Sequence, residues 1–109
     1  AQGPLAGAMS ELLSAAEVSA RLDQLPGWSS AEAGGAALTR TFKFDDFKAA
    51  LSFVNRVGDE AEQLDHHPDI DIRWNKVALT LSTHSAGGLT ERDFTLAHRI
   101  NDRVGTSSD

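Results

Sequence analysis

From Phe47 to Leu64 the apolar positions fall at Phe47, Ala50, Leu51, Val54, Val57, Gly58, Ala61 and Leu64. That is the i, i+3, i+4 spacing of one buried helix face, and it is the strongest periodic signal in the chain. It predicts a helix of about 20 residues, about 30 Å long. Asp45 or Asp46 stands where an N-cap belongs. Pro68 restricts His67 to extended backbone, so the helix is expected to end at Asp65 or His66. Beyond Pro68 the period becomes two. Ile70, Ile72 and Trp74 alternate with Asp69, Asp71 and Arg73, and Val77, Leu79 and Leu81 alternate with Ala78, Thr80 and Ser82. A two-residue turn at Asn75-Lys76 would set Trp74 opposite Val77, Ile72 opposite Leu79 and Ile70 opposite Leu81. All six then share one face, which a one-residue slip would destroy.

Ser14-Ala15-Ala16-Glu17 has the form of a capping box, and Val18, Leu22 and Leu25 follow at helical spacing. The expected helix runs from Ala15 to Gln24, before Pro26. A hairpin is expected next, turning at Gly34-Gly35. Its second strand spans Ala37 to Phe44, with Leu38, Arg40, Phe42 and Phe44 on one side and Thr39, Thr41 and Lys43 on the other. Thr90-Glu91-Arg92-Asp93 resembles a second capping box, followed by Leu96, Ala97, Ile100 and Val104. The order helix, hairpin, long helix, hairpin, helix predicts an α+β two-layer domain, its antiparallel sheet packed by one face against the helices.

The 109 residues suffice for one core and not for two. There is no cysteine, which excludes disulfides, thiolate metal sites and a cysteine nucleophile. Sixteen acidic residues against ten basic ones disfavour direct nucleic-acid binding, and Arg40, Lys43 and Lys48 are interspersed with Asp45 and Asp46. No apolar run approaches the roughly 18 residues of a membrane span. Residues 1–8 precede Met9, the only methionine, and read as a cloning remnant rather than a signal peptide. The domain is expected over residues 9–104, with a disordered polar tail at 105–109 and a cytoplasmic location.

The hairpin register also places His67 opposite His84, about 4.5–5.5 Å apart between Cβ atoms. Glu62 and His66 are four residues apart and share a helix face if the last turn holds. Three of the four histidines thus converge on one corner, with Glu62, Asp65 and Asp93 near. Imidazoles give and take protons at neutral pH, which suits a reaction moving protons on both sides of a bond. Zinc chelation is a competing reading, weakened by the adjacency of His66 and His67. A purely structural reading has the histidines capping the helix C-terminus. Asp93 reads as a capping carboxylate on spacing alone. Trp28 and Trp74 read as packing residues. His98 reads as surface. The Ser82, Thr83 and Ser85 hydroxyls lack a triad context.

The series Glu62, His66-His67-Pro68, Trp74, His84, Asp93, with its spacings, resembles the signature of the pterin-4a-carbinolamine dehydratases. Gly27-Trp28, Asn75-Lys76-Val77, Leu81-Ser82-Thr83-His84 and Gly88-Leu89-Thr90-Glu91-Arg92-Asp93 agree with it, over about Leu13 to Val104. Ser85-Ala86-Gly87 departs from the more polar or cysteine-containing loop of animal members. The resemblance implies a four-stranded antiparallel sheet with about three helices on one face, in a homodimer or homotetramer. It implies dehydration of a 4a-hydroxytetrahydropterin to the quinonoid dihydropterin, recycling the cofactor of aromatic amino-acid hydroxylases, with no metal or organic cofactor. His66 and His84 would be the acid/base pair and His67 would hold the ring edge. Glu62 and Asp65 would orient imidazoles, Ser82, Thr83 and Ser85 would line the pterin site, and Trp28 would cover it. Pro68, Trp74 and Asp93 count with the substrate-binding positions. Animal relatives also act as dimerisation cofactors of a homeodomain transcription factor, so a non-catalytic dimerisation or pterin-binding module is the alternative.

Overall fold

The computed structural model describes residues 12–31 and 36–105. The expectations for residues 1–8, for the turn at Gly34-Gly35 and for the tail beyond Gly105 lie outside the described residues. Three α-helices and four strands follow in the order α1 (Ala15–Leu22), β1 (Ser29–Ala31), β2 (Ala37–Lys43), α2 (Phe47–Leu64), β3 (Asp69–Arg73), β4 (Lys76–Leu81) and α3 (Glu91–Gly105). A short 3-10 turn, His84–Ala86, stands between β4 and α3. The sheet is antiparallel, ordered β1-β2-β4-β3, as the α+β reading requires.

Local chemistry starts each helix where the sequence marks it. Ser14 and Glu17 close a reciprocal capping box on α1, and Asp46 accepts from Ala49 N–H at 2.8 Å to cap α2. Leu38 and Phe42 of β2 and Val77, Leu79 and Leu81 of β4 form the sheet's buried face. Phe53, Val57 and Ala61 of α2 and Phe94, Leu96 and Ile100 of α3 close the core over it. Near Pro26, Gly27 has φ +89°, a backbone conformation that favours glycine, and a Cβ there would displace the Arg40 guanidinium, which lies 2.5 Å from its place.

Three expectations are corrected. The β3–β4 turn is Trp74-Asn75, not Asn75-Lys76, and the pairs are Ile72 with Val77 and Ile70 with Leu79. Asn75 decides this. It is buried, its Nδ2 donates to Phe44 O, and its own carbonyl accepts from Phe44 N–H, both at 2.8 Å. The shift is two residues, so every side chain keeps its face. Trp74 leaves the strand, however, and is 69% exposed. Second, β3 is an edge strand, so Ile70 is exposed and Ile72 half-buried while Leu79 and Leu81 are sealed. Third, the buried face of α2 is turned by roughly 60° from the expected one, at 100° per residue. Phe53 and Glu60 are inside it, and Phe47 and Leu51 are exposed. Phe53 is drawn in by Phe42 and Phe44, with ring centroids 4.7 and 4.9 Å away.

Candidate active site

The C-terminus of α2 ends in a Schellman motif. Asp65 adopts left-handed backbone (φ 51°, ψ 45°) and its N–H bonds to Glu62 O at 3.2 Å. His66 N–H reaches Ala61 O at 3.0 Å. The motif turns the chain sharply, so His66 and His67 leave the helix axis. Arg92 of α3 then donates from Nη2 to Asp65 O at 2.6 Å and pins the turn.

The second wall is the end of β4. Thr83 and Gly88 bridge across a closed loop, with Thr83 N–H to Gly88 O at 2.8 Å. The 3-10 turn inside that loop presents His84, exposed and, among the described residues, without a side-chain hydrogen-bond partner. The third wall is the start of α3. Thr90 caps it, and Asp93 accepts from Thr90 N–H through Oδ2 at 2.9 Å. Between them lies a cleft of about 270 Å³ lined by Asp65, His66, His67, Ser82, Thr83, His84, Ser85 and Arg92. A hollow of about 810 Å³ lies between Arg40, Phe42, Phe44 and Arg56, but it holds no imidazole. Chemistry, not volume, singles out the smaller cleft.

Two imidazoles are held by carboxylates. His66 is buried, and its Nε2 lies 2.6 Å from Oδ1 of the fully buried Asp93. His67 is exposed, and its Nε2 lies 2.6 Å from Oε2 of Glu62. The expected pairing of Glu62 with His66 is therefore replaced: the Schellman turn carries His66 off the helix face and brings His67 back to Glu62. His67 is not paired across the sheet with His84 either, since the ladder ends at Asp69 and Thr80. The two meet in the cleft because the turn after α2 and the loop after β4 converge there.

The remaining expected positions divide. Asp65, Ser82, Thr83 and Ser85 line the cleft, and Glu62 and Asp93 stand behind its histidines. Pro68 is half-buried at the start of β3. Trp28 does not cover the cleft. It is in the core, with Nε1–H donating to Asn101 Oδ1 at 2.7 Å and its ring edge-on to Phe42. Trp74 sits at the other end of the β3–β4 hairpin. Arg92 and Thr90 were not singled out from the sequence; their signal was their place inside the second capping box. Among the described residues no group of three or more His, Asp or Glu side chains is placed to hold a metal ion. Among them too, no helix is long and apolar enough to cross a membrane.

Relatives share this frame. A protein of Thermomicrobium roseum named "Putative pterin-4-alpha-carbinolamine dehydratase" is 51% identical over 85 residues, covering 78% of this chain and 88% of its own. One of the same name from Nocardia farcinica is 49% identical over 92 residues, covering 84% and 94%. The crystal structure of a transcriptional coactivator/pterin dehydratase from Brucella melitensis superimposes with a TM-score of 0.78 at 41% identity, over 83% of this chain and 95% of that one. A pterin dehydratase-like protein described as a RuBisCO assembly factor in the alpha-carboxysome shares the fold, with a TM-score of 0.58 at 20% identity, over 70% and 87%. The sequence profile of the family described as pterin 4 alpha carbinolamine dehydratase matches residues 11–103. With that match and relatives near half identity, the chain belongs to the pterin 4 alpha carbinolamine dehydratase family.

Proposed function

We propose that the protein is a hydro-lyase that converts a 4a-hydroxytetrahydropterin to the quinonoid dihydropterin and water. The observation that carries this reading is the cleft where His66, His67 and His84 meet, two of them braced by carboxylates. The substrate bears a hydroxyl on C4a beside N5. As the C4a–O bond breaks, the N5 lone pair forms the C4a=N5 double bond. The departing hydroxyl takes a proton and N5 loses one, so the net change is loss of one water. Both proton transfers need groups that titrate near neutrality, which imidazoles are. His66 and His84 exchange these protons, and His67, held by Glu62, grips the ring edge. Residues 82–85 and Asp65 line the pterin.

The N5 lone pair expels the hydroxyl and imidazoles can carry both protons, so the reading calls for no metal or organic cofactor. The pterin is that spent by an aromatic amino-acid hydroxylase. The protein works as a homodimer or homotetramer, with Phe47 and Leu51 on the outer side of α2 as the apolar contact. The test is stopped-flow decay of 4a-hydroxytetrahydropterin with and without the protein. Acceleration supports the reading. Pterin binding without acceleration overturns it in favour of a non-catalytic module.

A further inference from the structure

Behind the cleft, four buried side chains form one hydrogen-bonded chain whose donor directions are all determined. As a carboxylate, Asp93 only accepts. Its Oδ2 receives the Thr83 hydroxyl at 2.8 Å and the Thr90 N–H at 2.9 Å. Thr83 has one hydroxyl proton, and it is donated in the hydrogen bond to Asp93. The 2.8 Å contact between the Thr83 and Thr90 hydroxyls therefore has Thr90 as donor. Thr90 Oγ1 in turn accepts from Arg92 N–H at 3.2 Å. Oδ1 of Asp93 faces His66 Nε2 at 2.6 Å, so the imidazole brings its proton on Nε2. In the neutral ring Nδ1 is then left with its lone pair. It makes no hydrogen bond and is not sealed from solvent, in a ring that lines the cleft.

We propose that Thr83 and Thr90 are positioning residues that lock His66, through Asp93, in the Nε2–H tautomer. His66 thereby works through Nδ1 as the base that takes the N5 proton. His84, exposed and unpartnered, is left to protonate the departing hydroxyl. The tautomer of an imidazole is set by the bond its other nitrogen makes, and here that bond is set by two threonines. The base role rests on the dehydratase reading; the tautomer does not.

Histidine-labelled protein studied by two-bond ¹H–¹⁵N correlation spectra tests this without reference to activity. Unliganded wild type is expected to show the Nε2–H pattern for His66. Thr83→Val keeps the side chain's shape and removes the hydroxyl. It should mix the tautomers and lower kcat about 10-fold, the effect of one lost hydrogen bond to a charged group, with KM nearly unchanged. Thr83→Ser should restore both. Asp93→Asn can donate to Nε2 and should move the proton to Nδ1 with a larger loss of kcat, as the same swap does in a Ser-His-Asp triad. An Nδ1–H pattern in wild type overturns the proposal, and that measurement needs no variant. So does a folded Thr83→Val whose His66 spectrum is unchanged. If the tautomer depends on Thr83 but the protein does not accelerate dehydration, the positioning stands and the dehydratase reading falls with the base role.

Discussion

Asp93 is at once the N3 carboxylate that caps α3 and the partner of His66. Its two oxygens divide the work, which is why the capping reading and the functional reading of one residue both hold. The three histidines of the cleft differ in the same concrete way: His66 is buried on Asp93, His67 is exposed on Glu62, and His84 is exposed with no side-chain partner among the described residues. General acid–base catalysis contributes about 10²–10⁴-fold, so His66→Ala and His84→Ala should each lose on that order in kcat. His67→Ala should chiefly weaken binding. The double variant His66→Ala with His84→Ala should approach the uncatalysed rate without the two losses multiplying. Stopped-flow rates, with circular dichroism as the check on folding, measure all four. A folded double variant at the wild-type rate would remove the histidine cleft from the chemistry.

Among the described residues two that are not glycine have positive φ, and they flank β3. Asp65 at φ 51° ends α2, and Trp74 at φ 54° opens the β3–β4 turn. Aspartate tolerates left-handed backbone, while β-branched residues do not. Asp65→Val should destabilise the fold by about 1–2 kcal/mol in urea unfolding, and the histidine cleft should be disturbed with it. Trp74 is the opposite case, a bulky residue in a conformation that favours glycine, with little buried surface to lose. Trp74→Gly should therefore be neutral or stabilising by up to about 1 kcal/mol. A loss above that size would mean that Trp74 is buried against another chain in solution.

At the scale of the whole molecule, α2 and α3 are joined by Glu60, which accepts from Arg103 at 2.7 Å and from Arg99 at 3.1 Å. The hydrogen bond from Arg103, then that from Arg99, holds the Glu60 carboxyl below its ordinary value of 4.5, against the opposing effect of burial. A carboxylate depressed in the folded state contributes stability that is fully present above its unfolded value. That contribution is lost as pH falls from about 4.5 through the folded value. Melting temperatures measured from pH 7 down to pH 3 should fall less steeply for Glu60→Gln than for wild type, though Glu60→Gln starts lower. Parallel curves would show that the bridge has no part in acid stability. On the outer side of α2, Phe47 and Leu51 are 48% and 39% exposed. The oligomer proposed above has its contact on this face, so Leu51→Asp should shift a sedimentation profile toward monomer; a monomeric wild type would remove the oligomer, and an oligomeric profile left unchanged would move the contact elsewhere.

Period and local chemistry were enough to read the elements. The 3.6 repeat set α2, alternation set β3 and β4, and Ser14, Asp46 and Thr90 marked helix starts through bonds to residues two or three positions away. The meeting of His66, His67 and His84 in one corner was legible, but by a cross-strand pairing of His67 with His84 that the structure does not form; the turn after α2 and the loop after β4 bring them together instead. What lay beyond the sequence depends on partners far along the chain. Alternation defines a face but repeats every two residues, so it cannot separate registers two apart; Asn75 bonding to Phe44 across the sheet does. A helical stripe leaves its rotation open until aromatic neighbours such as Phe42 and Phe44 draw Phe53 inward. The carboxylate that holds His66 comes from a residue 27 positions away, Asp93, rather than from the adjacent helix turn. That Trp28 packs was legible from its type, but its place in the core away from the cleft goes with a partner far along the chain, Asn101, which accepts its indole N–H. In each case the nearby sequence allowed several arrangements of similar local energy, and burial with satisfied polar groups in the folded chain selected one.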